Sequence, residues 1–456
     1  MTANPEAPAL PADLPRDGAL RPTSRQVLLL ALPATLANVT TPLLGFVGAA
    51  AIGRLGDAAL LGAVALGAVI FDAIFWSFGF LRMATAGLTA QAVGARNPAE
   101  IDRALARALA VGVCCGLVLV MGQIPLAVLA FRIAGASAAV TAGLAVYFHI
   151  RIFAAPFTLA NYAVLGSVLG RGRTDLGLAI QVGINLANIV LTLLLVLGLG
   201  FGIAGAAGAT FLAEAGGTAL GLAVLHRLGA RPFRVPMAEV FGRAALTRTL
   251  KVNADVLIRT LALVAGITLF SAMGARLGDV TLAANAVLWN LFLIGGFFLD
   301  GFATAAEALC GRAVGARDRE AFAAASRLCL LWCLAFGVAV STLALGGGGA
   351  FIDVVTTSEP VRADARSHLL AAGLAPLVAA LPFAYDGIYI GATWTRAMRN
   401  LMLAALVVYL VALFAFQALG LGNGGLWLAF LVFLAARGLG QALAFPGLAR
   451  RSFSGG

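Results

Sequence analysis

Between Arg25 and Arg54 the chain runs through 28 residues, Gln26–Gly53, without a charge. A helix needs roughly 20 apolar residues to cross the hydrocarbon of a bilayer. Uncharged stretches of that length recur at Ala108–Phe131, Val280–Leu299 and Leu328–Ile352. Two others, Leu176–Ala213 and Asn400–Ala436, are long enough for helical hairpins and break at Gly198-Leu-Gly-Phe-Gly202 and Gly420-Leu-Gly-Asn-Gly-Gly425. Soluble domains carry about 25% charged residues, whereas only 11% of these 456 residues are charged and 61% are apolar. Those figures exclude a water-soluble fold and a disordered chain. Glycines without a three-residue period exclude collagen, and five cysteines exclude a secreted disulfide scaffold.

Allowing one or two internal charges per helix gives twelve spans, near 27–53, 59–93, 103–131, 138–170, 176–199, 203–226, 249–275, 281–313, 322–350, 366–395, 399–420 and 424–448. Residues 1–26 are Pro-rich and polar and hold Glu6, Asp13 and Asp17. They read as a disordered cytoplasmic tail rather than a cleaved signal, so the first helix is retained. With that tail inside, 22 of the 31 basic residues fall on the cytoplasmic face. The positive-inside rule then places both termini in the cytoplasm. The net charge of +11 is read as an orientation and anionic-lipid signal, with no nucleic-acid partner.

The chain repeats itself. Arg54-Leu-Gly-Asp57 returns as Arg276-Leu-Gly-Asp279, and Ala92-Val-Gly-Ala-Arg-Asn97 as Ala313-Val-Gly-Ala-Arg-Asp318. More loosely, Pro156-Phe157 and Gly166 followed by Arg171 match Pro382-Phe383 and Gly391 followed by Arg396. Six helices per copy is an even number, so both copies share one orientation in the membrane, an architecture of secondary transporters. The expected order is an N-lobe at 27–228, a basic cytoplasmic linker at 229–246, a C-lobe at 247–449 and a cytoplasmic tail at 450–456. The fold class is an all-α integral membrane protein with twelve transmembrane helices in two pseudo-symmetric six-helix lobes.

Of the 20 acids, six lie well inside spans: Asp72, Glu214, Asp255, Asp300, Glu307 and Asp386. Each costs about 2.5–3.5 kcal/mol at a helix centre, so each needs a cavity or a partner. Asp300 and Glu307, seven residues apart, share a helix face, and Asp386 follows Pro382 where a helix can be irregular. These two groups are the expected functional cavity, joined by Asn253, Asn285 and Asn290. Asp255 either belongs to it or neutralises Arg259 four residues on. Glu214 and Asp72 read as hydrogen-bonded between packed helices. In the first half Tyr147, Asn161, Asn185 and Asn188 supply neutral polar groups, with Asn185 and Asn188 either binding a neighbouring helix or lining a cavity. Pro33 and Pro42 mark a kink in the first helix. The cysteines read as core residues, with no disulfide and no metal site.

The stretches Leu32-Pro33 to Pro42-Leu-Leu-Gly45, Phe80-Leu-Arg-Met83 with Gly87-Leu-Thr-Ala-Gln-Ala-Val-Gly-Ala-Arg-Asn97, Asp300-Gly-Phe302, Glu307, Asp386-Gly-Ile-Tyr-Ile-Gly-Ala392 and Met398-Arg-Asn400 together resemble the multidrug and toxic compound extrusion (MATE) transporters of the DinF-type branch. The resemblance covers about residues 27–449. It implies a V-shaped, two-lobe exporter of a bacterial inner membrane. Such an exporter expels amphipathic, often cationic compounds in exchange for H⁺ or Na⁺, works as a monomer and needs no cofactor. Relatives usually carry an acid where this chain has Gly48 and another where it has Thr192, and those acids form their N-lobe cation site. Tyr147, Asn161 and Asn188 match the lining of that site. Without the two acids, coupling is expected to rest on Asp255, Asp300, Glu307 and Asp386.

Other classes fit less well. A major facilitator carrier would show a Gly-x-x-x-Asp-Arg loop where this chain reads Gly94-Ala-Arg-Asn-Pro98. A lipid-linked sugar flippase of the same superfamily is the nearest alternative, with Arg82, Arg151 and Arg259 as its in-span cations. Neither a selectivity ring nor an enzyme motif is present, so transport rather than catalysis is the expectation.

Overall fold

A computed structural model describes residues 22–54 and 57–454. Most of the expected amino-terminal tail lies outside the described residues, as do Leu55 and Gly56 of the first repeated tetrapeptide, the side chains of 41–46 (Pro42 among them) and 49, and residues 455–456. Every regular element among the described residues is a helix. This suits a chain whose backbone polar groups must be satisfied within each segment when no water is available.

The helices are α1 (Ser24–Gly53), α2 (Ala58–Ser77), α3 (Phe80–Gly94), α4 (Pro98–Met121), α5 (Gln123–Ala134), α6 (Ala138–Arg151), α7 (Ala155–Gly170), α8 (Thr174–Thr192), α9 (Gly202–Arg227), α10 (Met237–Val240), α11 (Arg243–Arg276), α12 (Asp279–Gly315), α13 (Arg319–Val355), α14 (Glu359–Gly391), α15 (Thr395–Ala418) and α16 (Gly422–Phe453). α2 with α3, and α6 with α7, each make one candidate span. With α4, α8, α9 and α11–α16 the described residues give eleven helices of spanning length and apolarity, and α1 adds thirty residues that stay helical through Pro33.

By internal packing the chain forms two units. One is Leu36–Leu250; the other joins Lys251–Gly456 to the segment ending at Thr35. The start of α1 therefore clusters with the second half of the chain, not with the N-lobe that the sequence assigned it to. The cause is local: a methyl group at Gly301 of α12 would lie 2.6 Å from the Ala31 carbonyl oxygen, so that glycine lets α1 and α12 touch backbone to backbone. The expected linker is partly ordered, with a short 3₁₀ turn at Pro232–Arg234 followed by α10, and α11 already begins at Arg243. The expected tail from 450 is also helical, because α16 continues to Phe453.

The second repeated motif ends in a turn in each copy. In both copies an arginine takes a left-handed conformation, Arg96 at φ 51° and Arg317 at φ 55°. The next residue caps the following helix: Asn97 Oδ1 accepts from the Glu100 amide at 3.0 Å, and Asp318 Oδ1 from the Ala321 amide at 2.8 Å. Such caps satisfy amides that a helix start leaves open. The third correspondence needs correction by four residues. A methyl on Gly166 would meet the Arg82 carbonyl and one on Gly170 the Ala86 carbonyl; the matching pairs are Gly387 on Ala303 and Gly391 on Glu307. Gly166 is thus the counterpart of Gly387. The duplicated feature is a glycine pair that presses α7 onto α3 and α14 onto α12.

Candidate functional site

In the second unit, Asp386 near the end of α14 is buried, 7% exposed. Its Oδ2 accepts from Arg259 of α11 and, at 3.0 Å, from Arg437 of α16. Oδ1 accepts from Gln441 Nε2 at 2.7 Å, and the Gln441 carbonyl accepts from the Tyr389 hydroxyl at 2.7 Å. Both arginines are buried as deeply as the acid. One turn back on α11, Asp255 pairs with Arg399 at 2.6 Å and accepts from Thr395 at 3.1 Å. Charges therefore alternate as Arg399, Asp255, Arg259, Asp386, Arg437. Beside them Met398, Leu401 and Met402 line a narrow cleft that Asp386, Arg437 and Gln441 complete.

This differs from the sequence expectation in three ways. Asp255 pairs with Arg399, while Arg259 pairs with Asp386. Asp386 is held by two guanidinium groups instead of facing an open cavity. Arg259, one of the in-span cations that the flippase alternative relied on, is 5% exposed and committed to an acid. Arg437 is a further in-span cation that the reading of Arg82, Arg151 and Arg259 passed over. Its sign was a lone charge in Asn423–Gln441, which called for a buried partner.

The remaining candidates of this unit separate. Asp300 and Glu307 lie two turns apart on α12, with Glu307 buried and Asp300 half-buried. Asn253 is buried on α11 and Asn290 is exposed on α12. Asn285 closes a reciprocal amide pair with Asn423, at 2.8 and 3.0 Å, and also accepts from the Trp427 indole at 2.8 Å. With its groups bonded to other side chains, Asn285 clamps α12 to α16.

In the first unit the neutral residues fall into four sets. Asn185 donates to Thr40 at 3.0 Å and accepts from Gln181 at 3.1 Å. Asn188 donates to Thr210 and accepts from Thr192, both at 3.1 Å, so the position where relatives usually carry an acid joins an uncharged hydroxyl–amide chain. The Tyr147 hydroxyl accepts from Arg151 at 2.6 Å, and that guanidinium lies 4.9 Å from the Phe71 ring centroid, a favourable cation–π distance. Asn161 stands apart. Its amide donates to Glu214 Oε2 at 2.7 Å and to the Glu214 carbonyl at 3.0 Å. Arg151 lies within electrostatic range of Glu214. The sequence reading of Glu214 as hydrogen-bonded between helices is observed. That reading had not joined it to Asn161, since 53 residues separate them.

Among the described residues no group of three or more His, Cys, Asp or Glu is placed to hold a metal ion.

Comparison with known proteins agrees with this architecture. The MatE family model matches residues 33–194 and 257–415, once in each repeat. The DNA damage-inducible protein F of Escherichia coli K12 is 37% identical over 420 residues, covering 91% of this chain and 90% of that protein. Protein DETOXIFICATION 44, chloroplastic, of Arabidopsis thaliana is 25% identical over 90% of this chain and 80% of its own length. Among solved structures, a MATE protein in the bent conformation superposes with a TM-score of 0.85 at 20% identity, covering 95% of this chain and 98% of that one. A MOP superfamily transporter of Pyrococcus furiosus gives 0.85 at 19% identity, over 94% and 97%. At that identity the structures attest the fold.

Proposed function

The chain belongs to the MatE family of multi-pass membrane transporters, and from that premise we propose that it exports amphipathic compounds by alternating access, in exchange for H⁺ or Na⁺. The observation that carries the coupling step is the Asn161–Glu214 contact. Of the acids placed above, Asp255 and Asp386 are neutralised by arginines. Glu214 instead accepts from a neutral amide, and the nearby Arg151 donates to the Tyr147 hydroxyl, so the Glu214 carboxylate can gain and lose a proton, or hold Na⁺, while Arg151 keeps its hydrogen bond. Asp300 and Glu307 on α12 are the second place for a coupling ion. The expectation of a cationic cargo came from the family resemblance; with Asp255 and Asp386 neutralised by arginines, the dye panel below tests cargo charge. A flippase gripping pyrophosphate is not favoured, because Arg259, Arg437 and Arg151 already have partners.

Reconstituted efflux of cationic and anionic dyes, under separate H⁺ and Na⁺ gradients, tests the reading. Glu214→Gln should abolish gradient-driven movement while leaving downhill exchange of the dye. Full gradient-driven efflux in Glu214→Gln and in the Asp300→Asn/Glu307→Gln double variant would overturn the coupling assignment. Failure of the unaltered protein to move any dye under either gradient would overturn the proposed export itself.

A further inference from the structure

Residues 228–242 join α9 to α11, two membrane-spanning helices, and so lie at a boundary between membrane and water. The segment has two sides. Ala230, Pro232 and Val240 are buried, Ala230 within the cluster that holds Leu105 of α4. Glu239 of α10 pairs with Arg103 of α4 at 2.5 Å, pinning the segment in one orientation. On the other side Phe233, Met237 and Phe241 recur at every fourth residue and are 81%, 74% and 52% exposed. Along the same stretch Arg234, Arg243 and Arg248 are also exposed. Glu239 is the one acid between Arg227 and Lys251, and it is already paired.

We propose that this ridge anchors the chain to anionic phospholipid: Phe233, Met237 and Phe241 enter the edge of the acyl layer, while Arg234, Arg243 and Arg248 bind head-group phosphates. Large apolar side chains flanked by cations are the composition of segments that lie in the interface. Burying each ring removes apolar surface from water at a gain of about 25 cal/mol per Å². A single-sign charge with no free acid selects a negatively charged surface. The ridge is held by contacts within its own unit, so it meets the lipid already formed.

The full chain with Cys114→Ser and Cys115→Ser, its other cysteines being buried, can carry a polarity-sensitive fluorophore at Phe233→Cys or Met237→Cys. Glu359→Cys, exposed at the start of α14, serves as the water-facing reference. In phosphatidylcholine vesicles containing phosphatidylglycerol, labels at 233 and 237 should shift to the blue and resist iodide quenching relative to the label at 359. Substitution of Arg234, Arg243 and Arg248 by Gln should weaken the phosphatidylglycerol preference by about fivefold per arginine, and added salt should do the same. Labels quenched as readily at 233 and 237 as at 359 would overturn the anchor. Shielding indifferent to phosphatidylglycerol and to the arginine substitutions would overturn its lipid-charge specificity.

Discussion

Arg259 donates to Asp386, 127 residues further along the chain, although Asp255 stands only one helical turn behind it on α11. Three helices of the second unit are tied at that point, since Arg437 of α16 reaches the same carboxylate oxygen at 3.0 Å. Removing one member of a buried ion pair leaves an uncompensated charge in a low-dielectric interior.

Asp386→Asn is therefore expected to destabilise the protein by about 3–5 kcal/mol, because two buried arginines lose their shared anion. Asp386→Leu combined with Arg259→Met should recover part of that loss, since the pair is then replaced by apolar volume. Thermal unfolding in detergent, read by exposure of the buried cysteines to a fluorogenic maleimide, measures both. A double variant less stable than Asp386→Asn would contradict the pairing.

Gly387→Ala and Gly166→Ala should each destabilise by about 1–3 kcal/mol, the range for forcing extra atoms into a packed core. The added methyl groups would sit 2.1 and 2.5 Å from backbone carbonyl oxygens that cannot swing aside. Gly48→Ala, where nothing lies within 4 Å, is the contrasting substitution and should cost nothing measurable by the same unfolding assay. Equal effects at all three positions would remove the close approach as the cause.

Asn285→Ala should cost about 2–3 kcal/mol by stranding Asn423 and the Trp427 indole, at the upper range for an unsatisfied buried group. Dye selectivity of the protein that remains folded should be unchanged, because Asn285 is bonded to side chains of α16. A shifted substrate profile at normal stability would make Asn285 a binding residue after all.

Much of the fold is written along the chain. The interval between charges fixes where a helix can cross lipid, because each spanning segment must bond its own backbone and shed its charges. Gln26–Gly53 and Leu328–Ile352 could be read that way, as could the turns at Asn97 and Asp318, whose caps are local hydrogen bonds. The repeat was legible where its motif sits in a turn. It slipped by four residues at Gly166, where one apolar helical residue resembles the next and the backbone contact that distinguishes them comes from another helix.

The pairing of charges was decided by the tertiary structure alone. An acid inside a span announces that it needs a partner, and Asp255, Asp386 and Glu214 could each be picked out for that reason. Which partner it finds depends on which helices pack side by side. Arg399 and Arg437 lie 144 and 51 residues from their acids, distances at which sequence spacing carries no geometric information. Hydropathy is summed along a chain and survives in its sequence; electrostatic neutralisation acts across a few ångströms and exists only once the helices have met.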